Sequence, residues 1–231
     1  MTTLVIPLRG PMQAWGGSSR FSRRETGPVP TKSGIVGLLG AALGRRRTDP
    51  IEDLAQLRFG VRTDQQGSLE RDFQTAKPHG EPHSKLSYRF YLADALFLAA
   101  VEGPDEVIGG LAGALQNPKF PLFLGRRSYP PAGPIRGEVV DTPMPELLRT
   151  HPWHAAEWYR RRQSRQVSLP IVRDPLPEED KHEVVRDLPF SFDPRHREYG
   201  WREVHHERTD QFDNPLGRRA VHDPLALLGG A

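Results

Sequence analysis

Apolar residues in the first part of the chain alternate and then recur at helical spacing. Leucine and isoleucine alternate with other residues over positions 2–9, which predicts a strand that ends at Gly10. After a long loop, apolar residues recur three or four positions apart over residues 32–44, and this spacing predicts a helix closed by Gly44. The chain therefore opens with a strand followed by a helix.

The middle of the chain repeats this order. Apolar runs predict strands near residues 57–63 and over 95–101, and helical spacing between Pro104 and Asn117 predicts a second helix. Alternating apolar residues over 120–124 predict a fourth strand. The order strand, helix, strand, strand, helix, strand is typical of the ferredoxin-like (RRM-like) βαββαβ fold, so we expect an α+β protein.

Two regions fall outside this core pattern. Residues 63–91 form a polar excursion between the second and third strands, too long for an ordinary hairpin turn, which we expect to project as a thumb. Beyond the predicted core domain of residues 1–137, helical spacing near 152–162 is followed by a short alternating run. We expect residues 138–231 to form a smaller, irregular C-terminal region packed on the core.

The first helix contains three glycines on one face, at positions 34, 37 and 40. Each costs about 1 kcal/mol relative to alanine inside a helix. Such a face requires either tight packing against the sheet or direct approach of the backbone to a ligand. The sequence alone does not distinguish between these two explanations.

Charge is distributed unevenly along the chain. Residues 1–47 carry eight lysines and arginines against Glu25 alone, whereas residues 174–187 carry six carboxylates against Lys181 and Arg186. The basic first segment suits a polyanion. The acidic stretch is expected to avoid nucleic acid and to face a basic partner.

Two stretches that are far apart in the sequence share one pattern, namely Gly10–Gly16 and Gly125–Ser128. Each contains or adjoins arginines, and its glycines leave backbone N–H groups accessible. Guanidinium groups and exposed amides together bind phosphodiester oxygens, so the pattern indicates RNA. Trp15, Phe21 and Tyr129 lie within a few residues of arginines and could stack on bases, with core packing as the alternative.

The segment before the first helix partly resembles a nucleotide-binding P-loop. Residues 27–33 lack the glycine that should precede Lys32, and two prolines each remove an N–H donor, so ATP hydrolysis is rejected. A helix start with Lys32 and Ser33 still favours one phosphate of a polymer.

The histidines suggest a further class of function. Several of the nine occur in near pairs, but without cysteine or an H-E-x-x-H motif no metal site is expected. The excursion, however, carries side chains that could move protons around a 2′-hydroxyl, so a metal-independent endoribonuclease stays an alternative. These side chains are Lys77, His79, His83, Lys85 and Tyr88.

Cysteine and membrane signals are both missing. Without cysteine there is no disulfide framework, and no basic and apolar leader opens the sequence. The longest nearly apolar stretch, residues 34–43, has about half the length that a membrane span needs. We therefore expect a cytoplasmic protein that makes no membrane contact.

Four blocks of the sequence resemble one known family. Gly10–Gly16, Pro30–Gly40, Tyr91–Phe97 and Pro121–Ser128 closely resemble, in order, the Cas-five-type subunits of the type I-E CRISPR complex Cascade. The likeness extends from about residue 3 to residue 204. Through this likeness the chain also resembles members of the RAMP superfamily, to which that family belongs.

The resemblance implies a fold, a role and partners. It implies a ferredoxin-like RAMP domain whose excursion acts as a thumb, and a subunit that caps the 5′ handle of the CRISPR RNA. Implied partners are the Cas-seven-type backbone subunit, the large subunit CasA and the DNA target held by the assembled complex. A separate subunit cuts the precursor RNA in type I-E systems, so this one is expected to be non-catalytic and to need no cofactor.

The basic stretches and the resemblance together indicate candidate RNA-binding residues. In a sister subtype the related protein cuts RNA with tyrosine, lysine and histidine, but no such triad aligns here. A pure protein adaptor is a third possibility, in which RNA is incidental. The RNA-binding candidates are Met12, Gln13, Trp15, Gly16, Arg23, Arg24, Lys32, Ser33, Gly34, Gly125, Arg126, Arg127 and Ser128, with Lys77, His79, His83 and Lys85 on the thumb.

Overall fold

The computed structural model describes residues 2–16, 23–77, 79–80, 83–180 and 183–218. Within that part of the chain most of the regular structure is β-sheet. The helices are α1 (Lys32–Leu43), α2 (Glu52–Ala55), α3 (Asp105–Gln116), α4 (Met144–Thr150) and α5 (Glu157–Arg160). The strands are β1 (Thr2–Arg9), β2 (Met12–Gln13), β3 (Arg23–Arg24), β4 (Arg58–Gln65), β5 (Ser68–Ala76), β6 (Lys85–Ala93), β7 (Leu96–Gly103), β8 (Glu138–Val140), β9 (Gln166–Val167), β10 (Pro170–Arg173), β11 (Glu183–Ser191), β12 (Glu198–Arg208) and β13 (Phe212–Asp213). None of the helices in these ranges is long and apolar enough to span a membrane.

A seven-stranded antiparallel sheet forms the centre of the molecule, in the order β11-β12-β10-β4-β7-β1-β8. Strands from both sides of residue 137 contribute to it. The C-terminal strands β10, β12 and β11 extend the sheet beyond β4.

Strands β1 and β7 are covered on both faces, which explains their nearly continuous apolar sequences. Leu4, Ile6 and Leu8 of β1 pack with apolar residues of α1 and α3. Val5, on the opposite face, packs with Leu148 and other residues of α4. The two long helices therefore lie on one face of the sheet and α4 lies on the other.

The prediction of a fourth strand at residues 120–124 is wrong. Leu124 is buried, but its N–H donates to Tyr129 O at 2.8 Å and its carbonyl accepts from Ala14 N at 3.1 Å, so its backbone bonds to a loop and to the segment after β1 and not to a strand of the central sheet. The strand beside β1 is β8, which places Val139 opposite Leu4. The helix expected over residues 152–162 is likewise limited to α5.

The polar excursion is a long β-hairpin. Strand β5 pairs with β6 along its whole length, from Ser68 opposite Ala93 to Ala76 opposite Lys85. Strands β2 and β3 pair with the other edge of β6. The base of the hairpin is therefore bound to the segment that follows β1.

Candidate nucleic-acid interface

The two glycine-flanked stretches predicted to cooperate lie in direct contact. Gly125 adopts φ of +85°, and a Cβ placed there would lie 1.7 Å from Ala14 O. A Cβ on Gly10 would lie 2.7 Å from Leu124 Cδ1. Only glycine fits at position 125, where the backbones of two segments more than a hundred residues apart meet, and a Cβ at position 10 would displace the buried Leu124 side chain.

Arg126 joins this contact to a third segment. Its guanidinium lies over the Tyr129 ring at 5.4 Å and donates to Tyr129 Oη at 3.0 Å and to Arg24 O at 3.1 Å. Arg127 and Ser128 follow directly and are exposed. The stretch after Gly125 thus holds the Arg24 backbone while presenting further polar groups to solvent.

The Arg23–Arg24 strand lies along the hairpin. It pairs in parallel with β6, with Arg23 opposite Tyr88 and Arg24 opposite Arg89. Arg23 lies over the Phe90 ring at 5.0 Å and makes an ion pair of 2.9 Å with Glu25. We define the arginine face as Arg23, Arg24, Arg126 and Arg127, in which the Arg126 side chain contacts the backbone of the Arg23–Arg24 strand.

Two more arginines of the hairpin were not among the predicted site residues. Arg89 lies opposite Arg24, and its buried Nε has no hydrogen-bond partner in the described part of the chain. Arg71 lies over the Tyr88 ring at 5.1 Å. Alternation of apolar and polar residues over 85–93 is the signal that could have identified a strand here, with Arg89 beside the Arg23–Arg24 segment.

The expectation that Trp15 stacks on bases is wrong, and the core-packing alternative applies. The indole is 1% exposed, and its Nε1–H donates to Gln13 Oε1 at 3.1 Å. The Gln13 amide in turn donates to Leu8 O and Ala95 O, so both side chains are committed internally. Tyr129 is also buried, and Phe21 lies outside the described residues.

Tight packing explains one of the three glycines on this face of α1. A Cβ on Gly34 would lie 2.9 Å from Trp15 Cε3, so this glycine admits the buried indole. Gly37 and Gly40 would make only ordinary contacts, at 3.8 Å or more. Gly34 therefore packs against the buried Trp15 ring, and its backbone is not exposed to a ligand there.

The prediction that Lys32 binds a phosphate is wrong. Its side chain is 8% exposed and its Nζ lies 3.1 Å from Asp174 Oδ2. Its backbone N–H donates to Asp187 Oδ2 at 2.8 Å. The Thr31 side chain caps Gly34 N–H, with Ser33 Oγ 3.3 Å from the Thr31 hydroxyl. Carboxylate and hydroxyl groups of the chain itself thus occupy the positive end of the helix.

Arg202 completes this buried ion cluster, which comprises Lys32, Asp174, Asp187 and Arg202. Its guanidinium donates to Asp187 Oδ1 at 2.6 Å and to Asp174 Oδ1 at 2.7 Å. Burial lowers the pKa of Arg202, but its hydrogen bond to Asp187 and the nearby carboxylates raise the pKa by more. Two carboxylates of the acidic stretch therefore have basic partners within the chain.

The predicted thumb residues lie at and near the tip of the hairpin. Lys77, His79 and His83 are exposed, and Lys85 begins β6 opposite Ala76. Among the described residues no three histidine, aspartate or glutamate side chains are grouped so that they could hold a metal ion. Met12 and Gly16, the remaining candidates, flank the buried Gln13–Trp15 segment, with Met12 half-buried and Gly16 exposed.

Comparison with known proteins gives consistent results. The sequence profile of a family described as CRISPR-associated protein (Cas_Cas5) matches residues 3–205. A curated relative, the CRISPR system Cascade subunit CasD of Escherichia coli (strain K12), is 36% identical over 153 residues, covering 57% of this chain and 68% of that protein.

Two solved structures are similar along nearly the whole chain. One, described as the crystal structure of a Cas protein, has a TM-score of 0.71 and 38% identity, covering 90% of this chain and 95% of the other. Another belongs to a CRISPR RNA-guided surveillance complex, with a TM-score of 0.75 and 31% identity, covering 98% and 97%.

Proposed function

The chain belongs to the CRISPR-associated Cas5 family, as its sequence blocks predicted, and we propose that it is the subunit of a Cascade-type surveillance complex that caps the 5′ handle of the CRISPR RNA. The observation that carries this proposal is the arginine face. Arg126 contacts the Arg24 backbone directly, so two arginine-bearing segments that are distant in sequence adjoin beside exposed loop residues. Such an arrangement suits the backbone of a single RNA strand.

Within this proposal each part of the site has a separate task. The arginine face neutralises phosphates, while Gly16 and Ser128 leave room for close approach of the strand. Gln13 and Trp15 act indirectly, because their internal hydrogen bonds hold the glycine-flanked backbone in shape. Arg89, opposite Arg24 on β6, adds a further cation to this part of the site.

The same proposal includes a ferredoxin-like core and a thumb. Strands β4, β7, β1 and β8 adjoin in this order and, with α1 and α3 on one face, match the order of a βαββαβ unit. The β5–β6 hairpin serves as the thumb at the boundary between handle and spacer. Residues 1–137 supply most of this unit, and the C-terminal region packs onto it.

Protein partners follow from the exposed apolar surface of the thumb. Leu69 and Phe73 are 63% and 64% exposed on β5, and large apolar side chains of this kind are commonly covered in an assembly. We assign this surface to a Cas-seven-type backbone subunit. The subunit also helps to seat the large subunit CasA in a cytoplasmic complex that holds a DNA target, and it cuts no RNA itself.

Charge reversal at Arg126 and Arg127 tests the proposal. We expect the R126E/R127E variant to retain much less guide RNA after purification of the assembled complex, because two phosphate contacts become repulsive. The matched control is R46E/R47E, which changes two exposed arginines next to α1 by the same charge. Equal RNA retention in the two variants would contradict the proposal.

Incubation of the purified chain with repeat RNA in EDTA tests its non-catalytic character. The RNA is expected to stay intact. Cleavage that disappears in an H79A/H83A variant would instead establish the thumb as a metal-independent nuclease site.

A further inference from the structure

A second group of arginines lies away from the arginine face. We define the arginine lobe as the loop Arg160–Arg165 together with Arg218. Four arginines of this lobe are exposed: Arg161, Arg162, Arg165 and Arg218. The two segments are adjacent, because Arg218 N–H donates to Gln163 O at 2.9 Å. Cations from two parts of the chain therefore share one small surface.

The backbone of the arginine lobe is held firmly. The buried Asn214 amide donates to Arg160 O at 2.8 Å and to Ser164 O at 2.9 Å, and Asn214 N–H donates to Arg165 O at 2.7 Å. A Cβ on Gly217 would lie 2.3 Å from Ser164 O, so the turn fits against the loop only with glycine. The arginines thus project from a fixed base, which lowers the entropy lost when they bind a ligand.

Two carboxylates, those of Glu157 and Asp213, lie near these four exposed arginines, so the surface stays basic. Glu157 pairs with Arg161 at 3.2 Å, an exposed contact of small energy. Arg162, Arg165 and Arg218 have no ion-pair partner among the residues that the structure describes. Arg162 instead lies over the ring of Trp158 at 5.0 Å, and this indole is 44% exposed. Exposed arginines beside an exposed aromatic ring are the chemistry that binds a phosphodiester strand and stacks on its bases.

The segment that leads into the lobe is attached, at Ala156, to the base of the thumb hairpin. Ala156 N–H donates to Gln65 Oε1 at 3.1 Å, and the same Gln65 side chain donates to Asp94 O at 2.6 Å. Asp94 N–H in turn donates to Pro11 O at 3.1 Å, at the start of the first glycine-flanked stretch. The base of the hairpin therefore contacts both the segment that leads into the arginine lobe and the first glycine-flanked stretch, and the lobe and the arginine face share no residue.

We infer that the arginine lobe is a second nucleic-acid-binding surface, which takes the phosphodiester backbone of a strand that passes the base of the thumb. Its residues and its test are independent of the arginine face. The strand has two possible sources, namely a further stretch of the guide RNA or the nucleic acid that the guide recognises. Both offer the same phosphate chemistry, and the experiment below separates them.

Binding of labelled oligonucleotides to the full-length chain tests this inference. The variant R162Q/R165Q/R218Q is compared with R46Q/R47Q/R136Q, which removes the same charge from three exposed arginines elsewhere. The probes are a mixed-sequence single-stranded RNA, a DNA strand of the same sequence and the corresponding DNA duplex. We expect the lobe variant to bind at least one probe about tenfold more weakly than the control variant. The slope of log affinity against log salt should fall by about 2 for a single strand, since each lost phosphate contact removes about 0.7.

The pattern among the probes identifies the strand. A loss confined to RNA assigns the lobe to the guide, a loss confined to DNA assigns it to the target, and a loss for both assigns it to either backbone. Equal affinities and slopes for the lobe and control variants, with every probe, would overturn the inference.

Two further variants keep the test informative. The charge-preserving variant R162K/R165K/R218K should retain the salt slope of the unaltered chain. If the triple glutamine variant fails to fold, the single variants R162Q and R165Q should each lower the slope by about 0.7. R126Q/R127Q, measured in parallel, reports on the proposed function alone, so the failure of one claim leaves the other test intact.

Discussion

The contact between Gly125 and Ala14 can be tested by adding a single methyl group. In the Gly125→Ala variant the new Cβ would lie 1.7 Å from Ala14 O, less than half of an ordinary contact distance. Gly80 provides a matched control. Its φ of +83° is nearly the same as the +85° of Gly125, but a Cβ at Gly80 would have nothing within 4 Å.

Comparison of Gly125→Ala with Gly80→Ala gives the expected change in the free energy of unfolding. Left-handed backbone costs a non-glycine residue about 1–2 kcal/mol, and this cost applies to both variants. The change in unfolded-chain entropy on replacing glycine by alanine is also common to both. Only Gly125→Ala must push the two segments apart, which breaks the hydrogen bond from Ala14 N to Leu124 O at a cost of about 0.5–1.5 kcal/mol. With the strain of repacking, we expect Gly125→Ala to lower the free energy of unfolding by about 1–3 kcal/mol more than Gly80→Ala.

Urea denaturation followed by circular dichroism measures this difference, and RNA binding by the same two proteins gives a second readout. We expect weaker RNA binding in Gly125→Ala and little change in Gly80→Ala, because only the first displaces Arg126 from the Arg24 segment. Equal stabilities for the two variants would refute the reasoning, since they would show that the segments are not in contact.

Two further predictions concern charged groups inside the chain. Lys32→Met should lower the free energy of unfolding by about 2–4 kcal/mol, because Asp174 loses one of its partners in the buried ion cluster. The same variant should leave the salt slope of RNA binding unchanged, and a lower slope would restore the phosphate-binding role that the structure excludes. A hydrogen bond from Arg173 lowers the pKa of Glu179 from 4.5 to about 2, so its stabilising effect is present above pH 4.5 and is lost as pH falls towards 2. Glu179→Gln should therefore flatten the stability profile in that pH window, as followed by thermal unfolding, whereas the exposed neighbour variant Glu178→Gln should not.

The elements that the sequence predicted correctly are those with strong local signals. Strands β1 and β7 are covered on both faces and appear as nearly continuous apolar runs, and α1 and α3 carry regular helical spacing. Strand β8 is only three residues long at the edge of the sheet, so its pattern is too short to distinguish from a loop. The alternating run that ends at Leu124 matches a strand pattern better, but Gly125 turns the chain there and the leucine fills the core.

The parts of the site that depend on glycine backbone could be predicted from the sequence. The parts that depend on contacts between distant side chains could not. Glycine at 10 and 125 indicated close approach between segments, and the structure confirms that these segments meet. Lys32 is a cation at the start of a helix, which is typical of a phosphate site. Its partner Asp174 is 142 positions away, so the local sequence does not reveal the ion pair. Arg89 was missed because the polar residues of the hairpin concealed a strand that pairs with Arg24.

The central claim is that Arg126 and Arg127 bind the phosphates of a single RNA strand. The most direct measurement is the dependence of guide-RNA affinity on salt for the unaltered chain, for R127Q and for R126Q/R127Q. Arg127 is exposed, so its substitution changes charge with little effect on packing. We expect the slope of log affinity against log salt to fall by about 0.7 for the single variant and about 1.4 for the double variant. Identical slopes for the three proteins would contradict it.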